Sequence, residues 1–351
     1  MRKITNVYRK EAILQLGKFL SYVDSASVWP GFDCGVSENE YLEFKSAIKK
    51  ASQVNQWFTE EMIYLALKNW SFNLSESNLK KWLSNYDLLD KPNKNMFIIC
   101  AGNLPLVGFH DILCSLILGL DIQIKLSKND DILIPAIVDI LSFFNEEFKS
   151  KIKIIKDKPL AFDYVIATGS DNSNRYFEYY FGKKPHIFRK NRTSIAVLKD
   201  NIDDNDLINL SHDVLQYYGL GCRSVTKLYL PEKFNLDRLY KNFYKYKDLV
   251  NHNKYMNNYD YNRSVYLLEQ KIFFDNGFLI LKEDEELFSP VSVVNFEFYS
   301  DINSLDKKIK NLSKDIQCRI GVGGLPFGSA QNPNLWDYAD GVDTLNFIIK
   351  N

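Results

Sequence analysis

A chain of 351 residues, 46% hydrophobic and 25% charged, is long enough for two domains with cores of their own and has an ordinary globular composition. Its 44 Lys and Arg balance 44 Asp and Glu, which excludes a general electrostatic affinity for nucleic acid or anionic membrane. The five cysteines and four histidines are scattered with no C-x-x-C and no metal-ligand spacing. That is the pattern of a reduced, cytoplasmic chain rather than a disulfide framework or a zinc site. No signal-type apolar region follows residues 1–5. The longest apolar stretch, around residues 112–120, contains Ser115 and Gly119 and is too short to span a bilayer.

Residues 1–92 read as helical and accessory. Residues 41–48 and 59–70 carry helical patterns, and Ser75-Glu76-Ser77 is placed to cap a further helix. The run 91–94 around Pro92 marks a boundary. Beyond it strands and helices alternate: strands over 96–100, 122–126, 153–155 and 162–167, a helix carrying Ile112, Leu113, Leu116, Ile117 and Leu120, and a helix over 130–148. This alternation argues for a doubly wound parallel sheet, in which ligands bind at the carboxyl ends of strands. Three such ends are polar. The first leads into Ala101-Gly102-Asn103, the second into Lys125-Leu126-Ser127-Lys128, and the fourth into Thr168-Gly169-Ser170 before a helix. A helix start with glycine and hydroxyls suits an anion. Each loop taken singly reads as well as a structural turn, and no G-x-G-x-x-G is present.

Further on, Leu207, Leu210, Val214 and Tyr217 share one face of an expected helix, and residues 225–231 alternate as a strand. Between them lies Tyr217-Tyr218-Gly219-Leu220-Gly221-Cys222-Arg223-Ser224. Two glycines let the backbone turn sharply and set the Cys222 thiol on an exposed corner. The competing reading of a lone cysteine is a small buried hydrophobe. Residues 237–263, rich in Tyr, Asn and Lys, read as a solvated helix or a substrate-side loop. Asp275-Asn276-Gly277 marks a hairpin, residues 292–296 a strand, and residues 321–328 a glycine-rich segment of no evident chemistry.

In this order, Cys-Ala-Gly-Asn-Leu-Pro (100–105), Ala-Thr-Gly-Ser (167–170), Gly-Leu-Gly-Cys-Arg (219–223), Leu-Phe-Ser-Pro-Val (287–291) and Trp-Asp-Tyr-Ala-Asp-Gly-Val-Asp-Thr (336–344) resemble the aldehyde dehydrogenase superfamily. More closely they look like its acyl-CoA reductase branch, the LuxC-type long-chain fatty acyl-CoA reductases. The resemblance covers about residues 95–349. It implies an aldehyde dehydrogenase-like α/β fold: a helical region over 1–92, a Rossmann-type dinucleotide-binding domain over 93–199, an α/β catalytic domain over 200–325, and a segment over 326–351 that returns to the cofactor domain or an oligomer interface. It implies that Cys222 is the acyl-accepting nucleophile and that the Asn103 amide donates to the oxyanion. Lys125 would hold the adenosine ribose, with Ser127 beside it. Thr168, Gly169 and Ser170 would lie near the cofactor diphosphate, and Glu286 and Phe288 would position the nicotinamide ribose and ring.

Two departures shape the expected activity. The glutamate base of hydrolytic relatives aligns with Phe188, which favours preserving the acyl thioester. Lys128 stands where NAD-preferring relatives carry a glutamate, which favours NADPH. A third, Asn174 in place of a second turn glycine, bears on the diphosphate site. The expectation is therefore NADPH-dependent reduction of a fatty acyl-CoA to the aldehyde without a metal, by a homo-oligomer with no membrane span and no nucleic acid partner. An acyl-donating or aldehyde-accepting enzyme is a compatible partner. Relatives pair through an extended segment, and residues 343–349 are the candidate strand. A cysteine acyltransferase or thioesterase without reduction, or a non-catalytic subunit, remain the alternatives.

Overall fold

The computed structural model describes residues 2–26, 28–91 and 93–351, so Pro92 of the expected boundary lies outside the described residues. The chain forms two compact units, residues 1–190 with 334–351 and residues 191–333.

The first unit opens with four helices, α1 (Arg2–Ser21), α2 (Glu38–Val54), α3 (Glu60–Asn73) and α4 (Glu76–Leu83). It continues through β1 (Asn95–Ile99), α5 (Phe109–Ile117), β2 (Asp121–Lys125), α6 (Leu133–Phe144), α7 (Glu147–Lys151), β3 (Ile152–Ile154), β4 (Tyr164–Thr168), α8 (Asp171–Phe181) and β5 (His186–Arg189). Its five strands are all parallel, in the order β3-β2-β1-β4-β5. The order reverses at β1, which pairs with β2 on one side and β4 on the other. The apolar residues of these expected strands are buried: Met96, Phe97, Ile98, Ile122, Ile124, Val165 and Ile166 are all at most 1% exposed.

The opening helices are not an appendage. Ile13, Leu16, Phe19, Ile63 and Trp82 share one continuous core with Ile98, Leu113, Leu116 and Ile137 of the sheet region. Arg9 adds a buried polar tie, pairing with Asp90 at 2.8 Å and Glu147 at 2.7 Å. The helix expected over 130–148 is two helices. Asn145 takes an extended conformation after α6, and its side chain accepts the Glu147 N–H at 3.0 Å to start α7.

The second unit comprises β6 (Thr193–Val197), α9 (Asp204–Leu215), β7 (Val225–Pro231), α10 (Asp237–Phe243), α11 (Asn253–Leu268), β8 (Phe274–Asp275), β9 (Ile280–Glu283), β10 (Val293–Tyr299), α12 (Ile302–Asn311) and β11 (Ile316–Gly321). Its sheet runs β11-β6-β7-β10-β9-β8, parallel except for the β8–β9 hairpin. That hairpin turns where expected, with Gly277 at φ 92° and its N–H donated to Asp275 at 2.7 Å. The units divide at 190/191 and 333/334, because β6 pairs with β7 and β11 rather than with the first sheet.

Residues 343–349 correct an expectation: they form no strand. The chain ends in α13 (Thr344–Lys350), part of the first unit. Asp343 caps this helix by accepting the Asn346 N–H at 2.9 Å. Leu345 and Ile348, three residues apart, then bury together on one helical face.

One ion pair ties three elements of the first unit. Arg189 of β5 donates through both terminal nitrogens to Asp111 of α5, and Thr344 of α13 donates to the same carboxylate at 3.3 Å. Burial pushes the Asp111 carboxyl up, but the Arg189 charge together with the hydrogen bonds from Arg189 and Thr344 and the His110 charge outweighs it, and the net shift is down. Removing one partner strands the other charge in the core. Arg189→Met is therefore expected to destabilise the first unit by about 3–5 kcal/mol, and adding Asp111→Leu to recover most of that. Urea unfolding followed by tryptophan fluorescence reads this unit alone, since Trp29, Trp57, Trp70, Trp82 and Trp336 all belong to it.

Candidate active site

In the first unit the residues singled out from the sequence gather at the carboxyl ends of β1, β2 and β4, three adjacent strands. Asn103 is exposed on the loop after β1. Lys125 ends β2 and is exposed, Ser127 is half-buried, and Lys128 is exposed. The β1 and β2 loops are in close contact: a Cβ on Gly102 would lie 2.6 Å from the Ser127 Oγ. Only glycine lets Asn103 and the 125–128 segment come this near.

Thr168 ends β4, and the Ser170 hydroxyl caps α8 by accepting the Ser173 N–H at 3.3 Å. A Cβ on Gly169 would meet the Ser173 Cβ at 2.8 Å and the Phe177 ring at 3.0 Å, so glycine here draws α8 against the strand end. Asn174 is 4% exposed and faces inward. Its amide donates to the carbonyls of Arg189 at 3.1 Å and Ser170 at 3.2 Å, tying α8 to β5. It braces the helix start from below and leaves the Ser170 side exposed.

The loop bearing Asn103 has an anchor that the sequence did not mark. Asp130, 3% exposed, accepts the Leu106 N–H at 2.9 Å, and Leu106 holds a left-handed φ of 63°. Burial pushes the Asp130 carboxyl up to about 7.

In the second unit Cys222 stands on the turn between α9 and β7, half-buried. The helix ends two residues earlier than the periodicity suggests. Tyr217 and Tyr218 lie beyond it with φ 53° and 63°, followed by Gly219 at 72° and Gly221 at 90°. A left-handed conformation costs a non-glycine residue on the order of 1–3 kcal/mol and persists only where its surroundings enforce it. Both tyrosines are buried, and the Tyr218 ring stacks on His252, ahead of α11, at 4.1 Å between centroids. The Tyr/Lys-rich region of 237–263 thus packs against the backbone that delivers Cys222.

The turn is held on every side. The Ser194 hydroxyl of β6 donates to the Cys222 carbonyl at 2.9 Å. Ser224 donates its hydroxyl to the Leu220 carbonyl at 2.7 Å. The Arg223 guanidinium, a candidate cation beside the thiol, donates to the Ala330 carbonyl at 3.1 Å.

Glu286 and Phe288 are exposed on the segment between β9 and β10. That segment is fastened to the strand that follows Cys222. Thr226 donates to the Leu287 carbonyl at 2.9 Å, and the Ser289 hydroxyl donates to the Val293 carbonyl at 2.6 Å. Asn295 donates to the carbonyls of Glu286 at 3.0 Å and Phe288 at 3.1 Å. Lys227, fully buried beside Glu297 at 2.7 Å, also donates to the Asp284 carbonyl.

Each unit therefore assembles its own set: Asn103, Lys125, Ser127, Lys128, Thr168, Gly169 and Ser170 in the first, and Cys222, Glu286 and Phe288 in the second. The segment that the resemblance aligns with a glutamate base holds Phe188, stacked on His186 at 4.1 Å. Arg189 of this segment engages the Asp111 carboxylate. Among the described residues no group of three or more His, Cys, Asp or Glu could hold a metal ion, and no helix is long and apolar enough to cross a membrane.

Asp130 gives a testable pH dependence. Its folded carboxyl binds a proton more tightly than an unfolded one does, so its contribution to stability is full below the ordinary 3.8 and is lost as pH rises through about 7. Wild type is expected to lose stability relative to Asp130→Asn as pH rises from about 4 to about 7. Urea unfolding read by tryptophan fluorescence checks this; a stability difference that is flat across the range contradicts it.

No protein-family profile matches the chain, and no curated protein does. Solved structures do resemble it. Aldehyde dehydrogenase 21 from Physcomitrella patens, in complex with the reaction product succinate, superposes with a TM-score of 0.61 at 12% identity, over 90% of this chain and 73% of that one. An aldehyde dehydrogenase of Mycobacterium tuberculosis complexed with NAD+ gives 0.59 at 13% identity, over 89% and 72%. A succinic semialdehyde dehydrogenase of Streptococcus pyogenes with NADP+ gives 0.58 at 11% identity, over 89% and 76%. At such identities the likeness is one of fold. The chain has the aldehyde dehydrogenase-like α/β fold, with helices at its N-terminal end.

Proposed function

We propose that the protein is an acyl-CoA reductase of the LuxC type, which reduces a fatty acyl thioester to the aldehyde with NADPH through a covalent acyl group on Cys222. The observation that carries the reading is the Cys222 turn: a half-buried thiol after a left-handed run, fixed by Ser194 and fastened through Thr226 to the segment of Glu286 and Phe288.

Two exposed lysines on the 125–128 segment, which Gly102 lets the loop after β1 approach, and a hydroxyl-capped helix start at Ser170 suit the charges of a phosphorylated dinucleotide. Lys125 and Ser127 are assigned to the adenosine ribose, Lys128 to the 2′-phosphate, Thr168, Gly169 and Ser170 to the diphosphate, and Glu286 and Phe288 to the nicotinamide ribose and ring. NADPH held there supplies the hydride that reduces the acyl carbon.

The chain's own residues do the rest. The Cys222 thiolate attacks the thioester carbonyl and forms a new carbon–sulfur bond. The Asn103 amide and the Cys222 backbone N–H donate to the oxyanion. Coenzyme A leaves with its sulfur and takes up a proton, so the acyl group rests on Cys222. With a phenylalanine at position 188 in place of a carboxylate base, no side chain there activates water against this thioester. After reduction the bond to Cys222 breaks, the aldehyde departs, and the thiolate is restored. Homo-oligomers and an acyl-donating or aldehyde-accepting partner enzyme fit this chemistry.

Steady-state oxidation of NADPH with myristoyl-CoA, with the aldehyde trapped, tests the reading. Cys222→Ala is expected to abolish turnover, and Asn103→Ala to lower kcat on the order of 10²–10³-fold. Lys128→Glu should shift preference from NADPH toward NADH, seen as opposite changes in the two kcat/KM values. Loading of the acyl chain on Cys222 without any NADPH oxidation would establish a cysteine acyltransferase in its place.

A further inference from the structure

The glycine-rich segment near the end of the second unit has no part in the chemistry above, yet it touches the Cys222 turn from one side and a buried carboxylate from the other. Asp213 of α9 is fully buried. It accepts the Gly328 N–H at 2.6 Å and the Ala330 N–H at 2.8 Å, one on each oxygen. Gly328 has φ 84° and its ideal Cβ would lie 3.1 Å from Asn209, so glycine permits this approach to the helix. From the same segment the Gln331 amide donates to the Ser224 hydroxyl at 2.9 Å, and Ser224 passes the bond on to the Leu220 carbonyl at 2.7 Å. The Ala330 carbonyl, next to the N–H that Asp213 holds, accepts from Arg223 at 3.1 Å. A bond thus leaves the segment for each residue that immediately follows Cys222.

A buried carboxylate is costly unless its hydrogen bonds justify it. Burial pushes the Asp213 carboxyl up to about 6 despite its two N–H partners. Leucine at this helical position would serve the core better. The acid instead fixes a segment that bonds a strained turn at two points, through the Ala330 carbonyl and the Gln331 amide.

We propose that Asp213 is a positioning residue for Cys222, acting through residues 328–331, which it clamps by two backbone N–H groups against the nucleophile turn. This rests on the reading of Cys222 as nucleophile. The clamp holds the turn from Leu220 to Ser224, and with it the Cys222 N–H that donates to the oxyanion. Asn in place of Asp213 keeps the shape but offers one acceptor oxygen, so one of the two N–H groups faces an amide nitrogen and the segment loosens.

The test uses Asp213→Asn, Gln331→Met and the double variant. Hydrogen exchange of peptides covering 217–226 and 326–333 is measured together with kcat and KM. Both peptides are expected to exchange faster in each single variant. The kcat should fall about tenfold or more from a small displacement of the nucleophile, with KM for NADPH within about twofold, because its assigned adenosine-ribose, 2′-phosphate and diphosphate contacts belong to the first unit. The double variant should lose less than the product of the single losses, since both act through one segment. Unchanged exchange over 217–226, or unchanged kcat in a folded variant, overturns the proposal, as does a fully multiplicative double loss. If Asp213→Asn does not fold, Gln331→Met alone decides by the same readings. A wild type that exchanges as described but never turns over refutes the assigned reaction and leaves the clamp to be judged by exchange alone.

Discussion

The second unit depends on a backbone constraint, the left-handed run that delivers Cys222. Four of the five residues from Tyr217 to Gly221 have positive φ, and two of them are tyrosines. Such a run does not form from local preference; it forms because the side chains around it have nowhere else to go. Tyr218 is stacked on His252, both tyrosine rings are buried, and the carbonyls of Leu220 and Cys222 are each taken by a serine hydroxyl. The strain is compensated by packing and hydrogen bonds spread over β6, α11 and the 328–331 segment. The backbone that carries Cys222 is held with little freedom, which is what the proposed attack on a carbonyl would require.

The first unit reaches a comparable result by a different device. Parallel strands bring their carboxyl ends to one edge, and the reversal of strand order at β1 opens the loops after β1 and β4 away from each other. Glycines then remove the side chains that would hold those loops apart, Gly102 against Ser127 and Gly169 against Ser173. The helices that precede the sheet belong to the same core as the strands, so the edge rests on a body considerably larger than the sheet itself.

Much of this was legible in the sequence where a local rule governs. The apolar run at 96–100 and the alternation of strands and helices after it announce a parallel sheet, Asp275-Asn276-Gly277 announces its hairpin, and Gly219 and Gly221 announce the turn before Cys222. What was not legible depends on long-range pairing. Nothing local in residues 193–197 says that β6 joins the second sheet. The 343–349 run has strand-forming isoleucines, but the Asp343 cap and the burial of Leu345 with Ile348 make it a helix. Tyr217 keeps the helical spacing of Leu210 and Val214 and is buried as they are, although the helix has already ended. Asp213 carried a signal of a kind: an acid three residues after Leu210, on a face whose other members are apolar. Ser194, Asp130 and Gln331 carried none, because their partners lie 28, 24 and 107 residues away.

The account stands or falls on the covalent step at Cys222. The protein would be mixed with a long-chain acyl-CoA in the absence of nucleotide, quenched and digested, and the peptide bearing Cys222 weighed. The account predicts one acyl group on that cysteine by a hydroxylamine-sensitive bond, stable until NADPH is added and then released as aldehyde. An unmodified Cys222 in a folded protein that still consumes NADPH with acyl-CoA would contradict it.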